Sequence, residues 1–516
     1  MNRMKKFLSV LLVGALFSMA LTGCSSGTSE QTTKDSGSAA TQMDPDKTEQ
    51  DGNDKGSGEI VTLKVAMVST SDQSGADEVE AAANEILKEY GVAIDITFIN
   101  FGSWQQQTNL LLTGGSDSVD VLPLLTTPLT TYVNNGQVLE LNELLEQYGQ
   151  DIKEQFTQEQ LNGGKVAGKL YGITTSRDLA ASYGIYMRKD ILEETGIDPA
   201  TISKVEDLEE VFVKVKELHP EMYGLFGSQT GSVEAWGWDR INDGNQLGVV
   251  MDSGQADEIV NLYEQPEYET FVRLMRDWHQ KGYIMADALS NTETSENLMK
   301  SGKLFAAFNN LKPGFAEQQE RATGYEIEVI EFIPAYATTQ NIQGLTWGIA
   351  AASTHPEEAM ILLNQMYSNP ELSNILVNGI EGESYVYIDD TKELIDFPEG
   401  VDAANTPYTN LGWAWPNQFI TPVWSPNPTD YWDTMREFNE TATPSKALGF
   451  APDTSTITNE VTACTNVVTK YNYALMTGSV DVDETLPKFQ EELRNAGIDK
   501  IIEEKTSQYE QWKLEQ

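Results

Sequence analysis

Residues 60–100 read IVTLKVAMVSTSDQSGADEVEAAANEILKEYGVAIDITFIN. Val61, Leu63, Val65 and Met67 alternate with their neighbours, the two-residue period of a strand. A Ser-Asp-Gln-Ser-Gly turn follows. From Asp77 to Tyr90 the apolar residues Val79, Ala82, Ala83, Ile86, Leu87 and Tyr90 recur at helical spacing, and Gly91 stops the helix. Val92, Ile94, Ile96 and Phe98 then alternate as a second strand. A strand, a helix and a strand in so short a span predict a parallel βαβ unit.

Working outward, Ser103-Trp104-Gln105-Gln106 has the spacing of a capping box at a helix start. Val119–Leu125 reads as a buried third strand, so this end of the chain is an α/β layer. Tyr183–Met187 is a further apolar run, and residues 190–330 are mainly helical in pattern. Leu345, Trp347 and Ile349 return to strand periodicity. Thr354-His355-Pro356-Glu357 then opens a helix with proline in its first turn. Residues 395–432 are rich in Pro, Trp, Asn and Thr, and 456–516 are again helical. No repeat of 20–50 residues is visible.

The 516 residues exceed what one core usually supports, so two or three domains are expected. Hydrophobic residues make up 40%, enough for a folded protein. With 79 acids against 34 bases the formal charge is −45. Such a surface repels phosphate backbones, which excludes nucleic acid as a partner, and it disfavours adsorption to anionic lipid. Three histidines and two cysteines give little material for a metal site or a disulfide framework.

The first residues are an address. Arg3, Lys5 and Lys6 precede an apolar stretch from Phe7 to Leu21, short for a membrane span and typical of an export signal. It ends in Leu21-Thr22-Gly23-Cys24, which resembles a bacterial lipobox, with cleavage before a lipidated Cys24. Residues 1–23 are then a lipoprotein signal peptide. Three of the 34 bases lie in it, so the mature chain has 31 bases against 79 acids, a net of −48. Residues 24–58 are polar and low in apolar side chains, the composition of a disordered tether. Cys464, the one other cysteine, falls in an apolar-periodic run and reads as a small buried hydrophobe.

Catalytic patterns are weak. Gly163-Gly164-Lys165-Val166-Ala167-Gly168-Lys169-Leu170 approaches a phosphate loop, but leucine stands where a hydroxyl should meet magnesium. Gly23–Gly27 matches a nucleophile elbow only by crossing the lipidation site. No His-Glu-x-x-His occurs, and among 79 acids no carboxylate pair singles itself out for glycoside hydrolysis. The ten tryptophans are more informative, because several sit in polar contexts: Trp104, Trp236, Trp238, Trp347, Trp413 and Trp415. An indole offers a flat apolar face and one N–H, which suits the C–H face of a sugar ring. Core packing competes for each tryptophan, whereas the set as a whole supplies at least two ligand stackers.

At this point the residues resemble a family. The lipobox, the tether, the β–α–β opening and Tyr132-Val133-Asn134-Asn135-Gly136 are similar to extracellular solute-binding proteins of family 1, the sugar-binding lipoproteins of ABC transporters. So are Trp347-Gly348-Ile349, Thr354 through Met360, Asn369-Pro370-Glu371 and Gly379 through Tyr385. Trp415 through Phe419, Pro444-Ser445, Gly449-Phe450, Thr477 through Asp481 and Ala496-Gly497-Ile498 resemble the LplA-like branch, which has an uncharacterised C-terminal domain.

The resemblance implies an α/β, two-lobed, periplasmic-binding-protein-like (Venus flytrap) fold with an interlobe cleft. Lobe 1 would be 59–175 plus 340–385, and lobe 2 would be 180–335 plus 390–516 with the C-terminal domain. Crossings are expected near 173–182, 333–345 and 385–415. The function implied is that of a lipid-anchored, extracytoplasmic, monomeric component of an importer. It would capture an oligosaccharide by lobe closure and deliver it to permease subunits, without catalysis, cofactor or metal. A binder of another solute such as a peptide, or a secreted carbohydrate hydrolase, is the alternative. Ligand contacts are expected on loops at strand ends and crossings. These are Ser69 and Asp72, Trp104, Arg177 and Asp178, Trp236, Trp238 and Asp239, Asn309, Trp347, Trp413 and Asn417.

Overall fold

A computed structural model describes residues 60–69, 73–115, 118–227, 237–291, 293–403 and 405–515. Cys24, Asp72 and Trp236 lie outside the described residues.

Two five-stranded sheets organise the chain. In the first, Val61–Ser69 and Val92–Asn100 pair in parallel, residue for residue from Val61–Val92 to Ser69–Asn100. The Ala76–Leu87 helix connects them and buries Val79, Ala83 and Leu87, as their helical spacing requires. Val121–Leu125 lies on the other side of the first strand and is buried throughout, the pattern of a strand covered on both faces. Leu345–Ile349 runs antiparallel to it, and Ile173–Thr174 closes the edge.

The second sheet is centred on Ala181–Arg188, with Leu304–Leu311 and Ile327–Ala337 antiparallel on either side. Tyr223–Leu225 and Thr443–Pro444 form its edges. Gly184 is required at the centre: a Cβ there would come within 2.0 Å of the Ile330 carbonyl oxygen, beside the register shift of the partner strand. The helices Thr458–Met476, Val482–Ala496 and Ile498–Glu515 complete this half. Cys464 and Phe489 pack there in one core with Leu247 and Val272.

Each sheet has its own buried core, and the chain passes between the sheets three times. The first crossing joins Ile173–Thr174 to Ala181–Arg188, and the second joins Ile327–Ala337 to Leu345–Ile349. The third falls later than expected. Residues 386–415 stay with the first sheet: Gly75 N–H donates to the Pro407 carbonyl at 2.9 Å, the Tyr408 hydroxyl to the Leu376 carbonyl at 2.8 Å, and Trp415 is buried in the first core. The assignment of everything from 390 onward to lobe 2 is therefore corrected. The aromatic side chains of this stretch fill a flank of lobe 1, and the chain leaves only after Asn417, on its way to the Tyr431–Thr441 helix.

The expected capping box at Ser103 does not form. The Ser103 side chain makes no capping bond to the Trp104–Leu111 helix; its hydroxyl donates to the Asn100 carbonyl at 3.1 Å and accepts from the Gln107 amide at 2.8 Å.

Candidate functional site

The crossings lie side by side. Ser176 N–H donates to the Pro416 carbonyl at 2.8 Å, and Ser176 bridges Asn417 in parallel. On the other side the Thr174 hydroxyl meets the Ile342 carbonyl at 3.4 Å. Leu125 pairs with Leu345, just past the second crossing, and Ser182 pairs with Leu311, just past the first. The strand ends Ser69, Leu125 and Leu311 therefore face the hinge from opposite lobes. A ligand that touches both lobes belongs between these ends.

The structure divides the expected site residues sharply. Trp104 and Trp347 have no exposed surface and belong to the lobe 1 core. Trp347 stacks on Trp415 with ring centroids 6.0 Å apart and donates its indole N–H to the Ala414 carbonyl at 2.9 Å. Trp238 is buried against the C-terminal helices and donates to the Gln246 amide oxygen at 2.6 Å. Their place in the site is corrected: their apolar area is already covered by protein, so no ring face is left for a ligand.

Asn417 is also corrected, from ligand contact to hinge strut. Its buried amide donates to Gln155 Oε1 at 2.7 Å and to the Tyr367 carbonyl at 2.8 Å, and its oxygen accepts from Phe419 N–H. Arg177 is similarly engaged. Its guanidinium donates to the Asp178 carbonyl at 2.7 Å and to the Asn341 carbonyl, tying the first crossing to the second. Burial pulls its pKa below the ordinary range, and Asp178 opposes that shift. Asp178 itself meets Lys312, at the end of a lobe 2 strand, at 3.2 Å.

Residues with surface left for a ligand are fewer. Trp413 is 38% exposed, and its carbonyl accepts from the Thr175 hydroxyl at 3.2 Å, which sets it beside the first crossing. Asn309 is half-buried in Leu304–Leu311, and Asp178 is partly exposed. Ser69, at the end of its strand, is mostly covered; its hydroxyl accepts from the Gln73 amide at 3.0 Å, and Gln73 also donates to the Thr409 carbonyl at 2.7 Å.

Sequence reasoning missed three features at this rim. Phe101, directly after Val92–Asn100, is 43% exposed. Thr126, after Val121–Leu125, holds a left-handed φ of 66°, which a β-branched residue adopts only under constraint. Gln105 donates to the Thr127 hydroxyl at 3.1 Å. Thr126-Thr127-Pro128 at the end of an apolar strand was the available signal.

A cavity of about 750 Å³ lies at the hinge. It is lined by Gln155 and Gln160 of lobe 1, by Ser176 and Asn417 of two crossings, and by Arg436 and Asn439 on the Tyr431–Thr441 helix. Ser69, Thr127 and Asn309 do not line it, so it is a crevice distinct from the cleft between strand ends. Among the described residues no group of three or more His, Cys, Asp or Glu is placed to hold a metal ion, and no helix is long and apolar enough to cross a membrane. Cys464 is free and buried, and burial pushes its thiol pKa up to about 11, the opposite of an activated nucleophile.

Asp239 is also corrected as a ligand contact. It is completely buried, one carboxylate oxygen accepts from Ile241 N–H at 2.7 Å, and the Ser445 hydroxyl lies beside the carboxylate. Burial raises its pKa above the ordinary 3.8. A raised folded pKa means the stabilisation is complete below the unfolded pKa and is lost as pH climbs through the folded value. An Asp239→Asn variant should therefore gain on the parent as pH rises above the ordinary aspartate value of 3.8. Denaturant midpoints across that range test this, and a stability difference that does not change with pH refutes it.

Two α/β lobes, each with its own core, and three adjacent crossings between them define a two-lobed fold of the binding-protein kind. The chain belongs to the bacterial extracellular solute-binding protein family, whose model matches residues 71–371, and residues 446–514 match a domain of unknown function, DUF3502. A protein of Streptococcus pneumoniae serotype 4 described as a carbohydrate ABC transporter substrate-binding protein is 26% identical over 443 residues, 84% of this chain and 88% of the relative. The crystal structure of the N-glycan transport solute-binding protein NgtS from Streptococcus pneumoniae superposes with a TM-score of 0.78 at 22% identity, covering 87% of this chain and 98% of that one. The same protein in complex with Man5GlcNAc gives 0.67 at 22% identity, covering 88% and 98%. The alginate-binding protein AlgQ2 gives 0.58 at 17% identity, with the same coverage of 88% and 98%.

Proposed function

We propose that this chain is the capture component of a carbohydrate importer, taking an oligosaccharide into the cleft between its lobes and handing it to ABC permease subunits. The observation that carries this reading is the match over 84% of the chain to a relative described as a carbohydrate ABC transporter substrate-binding protein. The hinge is consistent with it. A ligand that reaches both lobes only in the closed form shifts the equilibrium toward closure, and no bond needs to break. Trp413 and Phe101 supply exposed ring faces, while Asn309 and Asp178 supply polar partners for hydroxyls. We place the protein as a monomer on the extracytoplasmic face of the cell membrane, held by a lipid on Cys24. Asp72 and Trp236 remain proposed ligand contacts.

A thermal-shift screen of the soluble chain against oligosaccharides and peptides tests the reading. A ligand at a hundredfold its Kd stabilises the native state by about 2.7 kcal/mol and raises Tm. Shifts with glycans are expected. Shifts with peptides alone, or new reducing ends released from the glycans, would refute it. In the producing cell, labelling with a palmitate analogue should mark the parent chain and not Cys24→Ala; an unlabelled parent would refute the anchor.

A further inference from the structure

Eight non-glycine residues among those described have left-handed φ, and five of them fall within thirteen residues of lobe 2: Ile241 (43°), Asn242 (61°), Gln246 (55°), Asp252 (55°) and Ser253 (51°). For a β-branched residue such as Ile241 this conformation is strained, and it persists only where the surroundings impose it. Asp239 holds the Ile241 N–H within the loop, and the C-terminal segment supplies much of the rest of the surroundings. Lys505, 1% exposed on the Ile498–Glu515 helix, donates to Asp243 Oδ2 at 2.7 Å. That same oxygen accepts from Leu247 N–H, and Oδ1 accepts from Asn245 N–H, so one ion pair ties both turns of the loop to the helix.

Apolar contacts repeat the connection. Ile241 and Val250 are buried with Ala447, Phe450 and Tyr509. At Gly248, φ is 108° and a Cβ would meet Ile502 at 2.9 Å, so the loop backbone lies directly on the helix. Lys446 N–H closes the far end by donating to the Gly254 carbonyl at 2.9 Å.

The loop in turn reaches the hinge. The Asn242 amide donates to Gln343 Oε1 at 3.0 Å, and the Gln343 amide donates to the Lys165 carbonyl of lobe 1 at 3.4 Å. A left-handed residue of lobe 2, next to the strained Ile241, is thus linked through the second crossing to the opposite lobe.

We propose that the C-terminal segment of unknown function is a buttress: the buried Lys505–Asp243 pair holds residues 237–254 in a strained conformation that aims Asn242 at the hinge, and Lys505 is thereby a positioning residue for ligand capture. The effect on capture rests on the solute-binding reading, whereas the effect on the loop does not. Releasing the pair lets the strained residues relax to ordinary φ, which withdraws Asn242 and loosens the coupling between loop and hinge.

The test uses the full soluble chain with Lys505→Met, Asp243→Asn and Gly248→Ala, and with Val468→Ala as a control that thins the same C-terminal core without touching the ion pair. Hydrogen exchange of peptides covering 238–250, without ligand, should quicken at least tenfold in the three loop variants and less than threefold in Val468→Ala, which shares a core with Leu247. Affinity for a glycan that the parent binds should fall about tenfold in the same three variants only. Unchanged exchange in Lys505→Met and Asp243→Asn, or equal quickening in Val468→Ala, overturns the buttress. A parent chain that binds no glycan overturns the functional reading alone, because the exchange result then still decides the loop.

Discussion

Replacing Trp347 with alanine will destabilise the protein by about 3–5 kcal/mol, the range for removing a large aromatic from a closed core. The indole has no exposed surface, stacks on Trp415 and donates to the Ala414 carbonyl. Three losses coincide: the buried area, the dispersion contacts with a second indole, and a hydrogen bond that fastens the segment before the third crossing to the strand Leu345–Ile349. The carbonyl left behind is buried, and an unmade bond there adds to the loss. Denaturant unfolding followed by far-UV circular dichroism reads the effect as a lower midpoint. A change below about 1 kcal/mol would show that the Trp347–Trp415 pair is not a closed core.

Trp413 is expected to behave in the opposite way. Trp413→Ala should leave stability within about 0.5 kcal/mol of the parent, as for most exposed positions, and cost about 2 kcal/mol of ligand binding, roughly thirtyfold in Kd. Its neighbours on the chain are anchored: its own carbonyl is bound by Thr175, and Ala414 and Trp415 are buried. The indole is thus presented from a fixed backbone, which limits the entropy lost when a ring stacks on it. Calorimetric titration with a glycan found in the thermal screen measures this. Equal affinity in parent and variant would remove Trp413 from the site, and a matching loss of stability would make it a packing residue like Trp347.

These two tryptophans show where sequence reasoning stops. Both stand in polar, glycine-containing contexts, and on the sequence alone both read as ligand stackers. Periodicity can say that Trp347 lies on a strand, but not that the far side of that strand is covered by a segment nearly seventy residues later. Trp238 fails for the same reason, since the helices that bury it begin more than two hundred residues downstream. Asp239 reads as a polar cleft residue until Ile241, Ser445 and the C-terminal helices enclose it. Phe101, by contrast, was passed over although it directly follows a well-read strand. The local elements fared better: the strand Val61–Ser69, the helix Ala76–Leu87 and the strand Val92–Asn100 formed where the apolar spacing placed them.

The sequence by itself determined the periodic elements, the acidic net charge, and a family resemblance whose model spans residues 71–371. These depend on spacing and composition, which are local or additive properties. Only the tertiary structure decided which indoles are buried, that residues 386–415 belong with the first lobe, and that Lys505 pairs with Asp243. Burial and pairing are properties of contacts between residues far apart in the chain, and no window along the sequence contains both partners.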